Sequence, residues 1–471
     1  MKEIPFTVER THTVAQVIEQ FEDKVQTGEH TDNRVCIAGR LMLRRGQGKL
    51  VFGQLHDSSG VVQLFAPADV TPDFEDFTSL SLGDWIGVEG TVMKTRKGEL
   101  SIQVEKWDLL AHARRAFPDK WHGLTDTDAR YRQRYVDLWV NPHARAALIM
   151  RARIPGEIRK FYNKRGYQEV ETPMLNAVHG GAIAKPFVTH HDALDMQMYL
   201  RIATELYLKR LVVGGMEKVY EIGQNFRNEG ISPRHNPEFV GLESYEAYAD
   251  YNNYMELVED LVSTVAVSLT GSSVVSYQGR EIDLTPPYRR ATLTDLVSEA
   301  VGRDVSLDMD VAVLRKMTSE IVGEIDETWS PGKMIFEIYE KIVERNIWEP
   351  TFVMDMPKEV SPLARDHRTK PGFTEHSDLV IAGRELAPIY TELCDPDEQR
   401  ARLEQQSELN KAGDAEAMVV DQDFLRALEY GMPPTAGMGL GVDRLAMLLS
   451  DSAAIKDVLF FPTLRPRPDD E

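Results

Sequence analysis

The chain has 471 residues, 42% hydrophobic and 27% charged, an ordinary composition for a globular protein of roughly two to four domains. Its 54 basic and 75 acidic residues leave a net charge of −21, which excludes wholesale coating of nucleic acid and confines any such contact to local basic strips. No apolar run approaches the roughly 20 residues that cross a bilayer, the opening MKEIPFTVERTH is too charged for a signal peptide, and Cys36 and Cys394 are too few for a disulfide framework or a Cys-based zinc site, so a cytoplasmic protein with no membrane partner is expected.

Residues 1–30 read as a polar lead-in with one helix over Thr13–Lys24. From 31 to 112 the pattern changes to five short strands, VCIAGRLML, LVFGQLHD, VVQLFA, DWIGVEGTVMKT and ELSIQVEKWDLL, with glycine turns and a longer insertion at Pro67–Leu82. Five strands in this length predict a small barrel of the OB type. Arg40, Arg44, Arg45 and Lys49 alternate with apolar residues along it, with Phe52, Gln63 and Phe65 on the next strands. Cations beside exposed aromatics make a platform for splayed bases. The alternative, and for any single aromatic the safer reading, is that Phe52 and Phe65 are core.

A charged hinge over 113–143, with Pro118 before Trp121, leads to a catalytic region over 144–471. A helix over Ala144–Arg165 should either begin at Pro155 or kink there, since proline removes a helical hydrogen bond. The strand YQEVETPML follows. His179, His190 and His191 lack the spacing of a helical metal pair and read as solvated loop histidines. Glu205 opens a helix ending near Gly214, where a glutamate suits the dipole with or without a further role.

Val219–Tyr251 reads as two strands around a polar loop at Gly230–Pro237. Arg227 and Glu229, two apart, should face one side of a strand: a forked cation for a carboxylate or phosphate, and an acceptor for an amine or an adenine edge. Alternation alone would fit a surface hairpin equally well. A helix over Tyr254–Leu269 stops at Gly271, and residues 272–345 offer no chemistry. Near the end, the glycine loop Gly437–Gly441 runs into a helix, with too little chain after it for a dinucleotide-binding unit. No P-loop lysine motif occurs.

FRNE, RHNPEF and LESYEAYADY together resemble motif 2 of the class II aminoacyl-tRNA synthetases, in the wording of their lysyl-tRNA synthetases. The helix and strand ending at Pro173 resemble motif 1, GLGVDR resembles motif 3, and AGR…GKLVFGQL…VVQLF resembles the family's anticodon-binding barrel. The resemblance covers about residues 34–466 and implies an α+β fold: an N-terminal OB-type barrel, then a class II antiparallel sheet flanked by helices. It implies ATP-dependent activation of L-lysine to lysyl-adenylate and transfer to tRNA(Lys), by a homodimer using Mg2+.

By the same resemblance Arg227 and Arg444 are catalytic, and Arg227, Glu229, His235, Asn236, Phe239, Glu385 and Arg444 bind ATP. Gly181, Glu205, Glu243, Tyr245, Tyr390 and Glu392 bind lysine, with Glu205 and Glu392 for its ammonium. Asp378 and Glu385 hold the metal, the first being commonly glutamate in the family, and Phe52, Gln63 and Glu99 read the anticodon. One departure is ELAPIYTEL, where relatives commonly carry a small polar residue at Pro388 and glycine or alanine at Ile389. Both changes are expected to reshape the lysine pocket, unless Ile389 points into the sheet core. Two rival readings are a lysine-activating enzyme with a non-translational acceptor, against which the barrel speaks, and a catalytically silent paralogue, against which Arg227, Glu229 and Arg444 speak.

Overall fold

Alternating apolar residues separated by glycine turns close the first part of the chain into a barrel. The computed structural model describes residues 4–115, 117, 124–414 and 416–467, so Pro118 and Trp121 of the expected hinge lie outside the described residues. The chain divides into two units, Met1–Leu124 and Thr125–Glu471.

In the first unit, helix α1 (Val14–Phe21) is capped by Thr13 and packs Val14, Val17 and Phe21 onto the barrel core. Strands β1 (His30–Gln47), β2 (Leu50–His56) and β3 (Val61–Pro67) are followed by a short helix α2 (Phe74–Ser79), then β4 (Trp85–Lys94) and β5 (Leu100–Ala111). The barrel closes in the order β1-β2-β3-β5-β4, with β3 and β5 parallel and the other pairs antiparallel. Its inward face carries Ile37, Leu41, Leu55, Leu64, Ile86 and Ile102, all fully buried.

The second unit opens with α3 (Thr127–Arg132), α4 (Arg134–Val140) and α5 (Pro142–Lys164). Helix α5 runs from Pro142 to Lys164 with Pro155 inside it, so it does not begin at Pro155. The expected strand at YQEVETPML is two two-residue strands in different sheets, β6 (Gln168–Glu169) and β7 (Leu175–Asn176), because Pro173 interrupts the run. Then come β8 (Val188–His191), β9 (Met196–Leu200), α6 (Glu205–Val213), β10 (Lys218–Phe226), β11 (Glu238–Ala247) and α7 (Tyr251–Thr270). Helix α7 starts at an Asp250 capping box and ends at Gly271 with φ +80°.

The region 272–345 folds into β12 (Val274–Tyr277), β13 (Arg280–Asp283), β14 (Arg289–Thr292), α8 (Leu293–Val301), α9 (Val311–Val322) and α10 (Pro331–Ile338), ending in a π-helical turn at Tyr339–Val343. Its helices have their own core, which reaches Val353 and Val380 of the next strands, β15 (Thr351–Met354) and β16 (His376–Ile381). The chain closes with β17 (Arg384–Thr391), α11 (Pro396–Lys411), α12 (Gln422–Glu429), β18 (Thr435–Gly441), α13 (Val442–Leu449) and α14 (Ile455–Val458).

The main sheet has eight strands in the order β14-β15-β16-β17-β18-β11-β10-β6. Its interior pairs are antiparallel, and the pair at each edge is parallel. The expected glycine loop at Gly437–Gly441 is central strand, β18, and small residues there let neighbouring side chains cross its surface. One face of the sheet packs on α5, α7 and α13. On the other face α6 covers part of β10 and β11, and the rest is left for chemistry.

Candidate functional site

Strands β10 and β11 pair without a break from Lys218↔Glu246 to Phe226↔Glu238. Arg227 and Glu229 lie beyond that ladder, in the loop rather than on a strand face as expected. The Arg227 backbone N–H donates to Pro237 O at 2.9 Å, which pins the loop base. Its guanidinium lies 5.1 Å over the Phe239 ring, and its Nε is buried with no protein partner. Arg227, Glu229, His235, Asn236, Phe239, Glu243, Glu385, Pro388 and Arg444 all line one cavity of about 940 Å³, including its open mouth. Partial burial and the surrounding Arg444, Arg234, Arg227 and Arg384 lower the pKa of His235. Guanidiniums so crowded call for an anion of high charge.

The cavity exists because β17 and β18 part. They pair only at Ile389↔Met438, Tyr390↔Gly437 and Thr391↔Ala436, and Pro388, which has no N–H to donate, lies where pairing stops. Beyond it Glu385, Leu386 and Pro388 face Gly439, Leu440 and Gly441 across the cavity. Ile389 is fully buried in the core on the opposite face, so the expected bulk beside the site is absent and only Pro388 touches it. Period-two alternation sends neighbouring residues to opposite faces.

Below the cavity is a cluster of buried charge. Glu205 opens α6 but is 9% exposed, not the solvated residue common at that position. Fully buried Lys209, one helical turn on, bridges Glu205 Oε1 at 2.5 Å and Glu392 Oε2 just after β17. The two carboxylates expected to await an ammonium already share one from the chain itself. Burial works against the charge on Lys209, yet Glu205 and Glu392 together raise its pKa. Burial pushes the Glu392 carboxyl up to about 8, with Lys209 opposing and Glu205 adding to the shift. Burial and then Glu205 push Glu243 up to about 7, although the Thr204 N–H donates to it at 3.1 Å.

Two carboxylates thus share one internal ammonium, with Glu243 beside them, and Glu243 Oε2 and Glu392 Oε1 are buried without a hydrogen-bond partner. Tyr245 closes the cluster, its ring 6.0 Å from Lys209 Nζ. A Cβ on Gly437 would come within 2.3 Å of Glu392 Oε1 and 2.4 Å of Tyr245, so only glycine fits there. Gly181 (φ +87°) passes beside Glu205, where an added Cβ would lie 3.2 Å from the Glu205 Cβ. Tyr390 leans on His376, with ring centroids 4.4 Å apart.

Asp378 on β16 and Glu385 on β17 flank the turn at Ala382–Gly383. His376 Nε2 lies 2.9 Å from Asp378 Oδ1, and His376 Nδ1 is 2.6 Å from Ser361 Oγ. Arg444 Nη1 donates to Glu385 O at 2.6 Å and lies 3.4 Å from its carboxylate. Burial raises the Glu385 carboxyl, Arg444 opposes the shift, and like-charged Asp378 and Glu344 reinforce it. Among the described residues no three His, Cys, Asp or Glu side chains form a metal cage. A buried His179, 7% exposed and 5.0 Å from the Tyr199 ring, corrects the expectation of a solvated loop histidine; His190 and His191 are at the surface or partly so.

On the barrel, Phe52 and Phe65 meet edge to face at 5.6 Å, half-buried and outside the apolar core. Arg45 lies 6.0 Å over Phe52 and donates to Gln63 Oε1 at 3.3 Å. Gln63 is buried, its amide donating to Ser101 Oγ at 2.9 Å, and Glu99 is exposed at the β4–β5 turn. The expected basic strip divides: Arg40 and Arg44 donate to Gly83 O and Leu80 O, holding the insertion, which leaves Arg45 beside the aromatics.

Lys209 and Glu344 were not anticipated from sequence. The Glu205–Lys209 spacing of four was the available signal for the first; nothing local marked the second.

Residues 126–465 match the model of the tRNA synthetases class II (D, K and N), and residues 35–110 match that of the OB-fold nucleic acid binding domain. Among curated proteins, the chain is 51% identical over 470 residues to a lysine–tRNA ligase of Nostoc punctiforme, covering 97% of this chain and 83% of that one. It is 50% identical to that of Synechococcus sp. strain CC9311 (93% and 90% covered) and 49% to that of Thermosynechococcus vestitus (97% and 92%).

Proposed function

The chain belongs to the class II tRNA synthetases, and from that premise we propose how its residues join lysine to tRNA. The enzyme activates L-lysine with ATP to lysyl-adenylate and transfers the lysyl group to tRNA(Lys). The observation that carries lysine in particular is the charge of the buried cluster. Once ionised, Glu205, Glu243 and Glu392 exceed Lys209 by two negative charges, which match the α- and ε-ammonium groups of free lysine. Glu392, with the Tyr245 hydroxyl, takes the ε-ammonium; Glu243 and Glu205, beside Gly181, take the α-ammonium; and Tyr390 walls the side chain.

The lysine carboxylate then attacks the α-phosphorus of ATP, and pyrophosphate leaves. Arg227 bridges that carboxylate and the α-phosphate, and Arg444 holds the far end of the triphosphate. Such preorganised cations act where negative charge develops, and no covalent nucleophile is needed. Phe239 stacks on adenine, with Glu229, His235 and Asn236 completing the nucleotide site. Asp378 and Glu385 fit a magnesium ion that arrives with ATP: two carboxylates whose mutual repulsion a cation would relieve, without the full protein cage such an ion does not require. When bound, that ion offsets phosphate charge.

On the barrel, Phe52 and Gln63 read anticodon bases by stacking and edge hydrogen bonds, with Glu99 at the rim. The three-stranded sheet β7-β9-β8 exposes Leu175 and Val188, with Met174 and Leu194 exposed beside it. This apolar surface supports a homodimer, and the setting is the cytoplasm.

ATP–pyrophosphate exchange measured across the amino acids tests the reading. Exchange should occur with lysine in the absence of tRNA, and neutral isosteres should be rejected by on the order of 10⁴ because they leave buried carboxylates unpaired. Equal exchange with a neutral amino acid would overturn it.

A further inference from the structure

The π-helical turn Tyr339–Val343 ends the 272–345 region and brings Glu344 to Glu385, which lines the cavity. There the Glu344 Oε1 accepts the backbone N–H of Glu385 at 3.0 Å. The carbonyl of the same residue accepts Arg444 Nη1 at 2.6 Å. Both backbone polar groups of Glu385 therefore end on charged side chains. The reason is topological: β17 leaves β18 at Pro388, and its pairing with β16 slips between Leu379 and Val380, where Leu386 has no partner. A strand that loses its neighbour must find other partners for its N–H and C=O groups. Burial raises the Glu344 carboxyl; the Glu385 N–H opposes this, Asp378 adds to it, and Arg234 and Arg444 oppose it, so the group sits among the metal carboxylates and the phosphate arginines. Tyr339, one helical turn earlier, buries an unpartnered hydroxyl next to the same carboxylates.

We propose that Glu344 is a positioning residue for activation: it replaces the missing strand at Glu385 and so fixes that carboxylate opposite Asp378 for the magnesium–nucleotide complex. Residues 272–345 then contribute to the active site through one hydrogen bond. The proposal rests on the nucleotide site described above. The oxygen that accepts the N–H matters, and the charge does not.

That distinction sets the experiment. Binding of the β,γ-imido analogue of ATP is followed by calorimetry as Mg2+ is titrated, with lysine binding in the absence of nucleotide as the control for fold. Glu344→Ala should raise the Mg2+ needed for half-saturation at least tenfold. Glu344→Gln, whose amide oxygen can still accept the N–H, should stay within threefold of the parent. Glu344→Asp keeps the charge but is one methylene short, and should behave as the alanine variant does. The glutamine and aspartate variants decide the matter even if the alanine variant does not fold. A parent-like Glu344→Asp, or a Glu344→Gln as weak as Glu344→Ala, would overturn positioning in favour of charge. Parent-like behaviour in all three would remove Glu344 from the site. Should the parent itself show no Mg2+-dependent nucleotide binding, the nucleotide site fails instead.

Discussion

The barrel and the catalytic sheet carry their candidate residues in opposite ways. On the barrel, Phe52 and Phe65 stand half-buried outside a core that is complete without them. In the catalytic unit, Glu205, Lys209 and Glu392 are buried, with the Lys209 ammonium bridging the two carboxylates. A surface reader can be altered at the expense of its ligand alone, whereas a buried ionic cluster binds stability and recognition together. Burying a charge is tolerable only when it is paired. The contrast is therefore testable by asking which substitutions spare the fold.

The largest effect is expected at Lys209. Lys209→Met leaves Glu205 and Glu392 buried without a cation and should cost about 3–5 kcal/mol of stability, read by denaturant unfolding. Saturating lysine should restore part of that loss, because its ammonium can reach the same carboxylates. A variant as stable as the parent would show that the cluster is not coupled to the fold.

Arg227→Ala sharpens the comparison from the other side. Its guanidinium is only half-buried, so the fold should survive while pyrophosphate exchange falls about 10²–10³-fold or more, the usual loss for one preorganised donor. Exchange within tenfold of the parent would break the assignment.

Phe52→Ala should weaken tRNA binding by about 1–3 kcal/mol, one stacked base, and leave tRNA-independent exchange unchanged. Equal loss of both activities would mean that the aromatic pair holds the barrel together.

The smallest effect is a dependence on pH. Burial holds the Glu243 and Glu392 carboxyls up, at about 7 and about 8. The folded state therefore keeps protons that the unfolded chain has lost, and stability should fall as pH rises from the ordinary carboxyl range through these values. Two ammonium groups bind best to ionised carboxylates, so lysine affinity should rise over the same interval, by at most about tenfold per pH unit for each proton released. Calorimetry in buffers of different ionisation enthalpy counts those protons. Affinity independent of pH, with no proton release, would show that both groups are already ionised.

Much of this was legible in the chain. Period-two alternation between glycine turns marks the five barrel strands, and the order of FRNE, RHNPEF and GLGVDR marks the catalytic unit, because both signals are local. Two features needed packing that no local signal carries. Pro155 does not start its helix, because packing of α5 against α7 and α13 outweighs one missing hydrogen bond. Glu205 looks like a solvated helix start until α6 packs against β11.

Local patterns along the chain suffice for the residue types, the strands that carry them and the family they belong to. Side-chain alternation even limits Ile389 to one of two faces, but which face is the core depends on where α7 packs. Only the tertiary structure decided that Lys209 lies between Glu205 and Glu392, residues 187 positions apart (392 − 205), and that β17 parts from β18 at Pro388. It alone carries Glu344 across 41 residues to the Glu385 backbone. Electrostatic balance and hydrogen-bond satisfaction are properties of groups brought together in space. No window along the chain contains them.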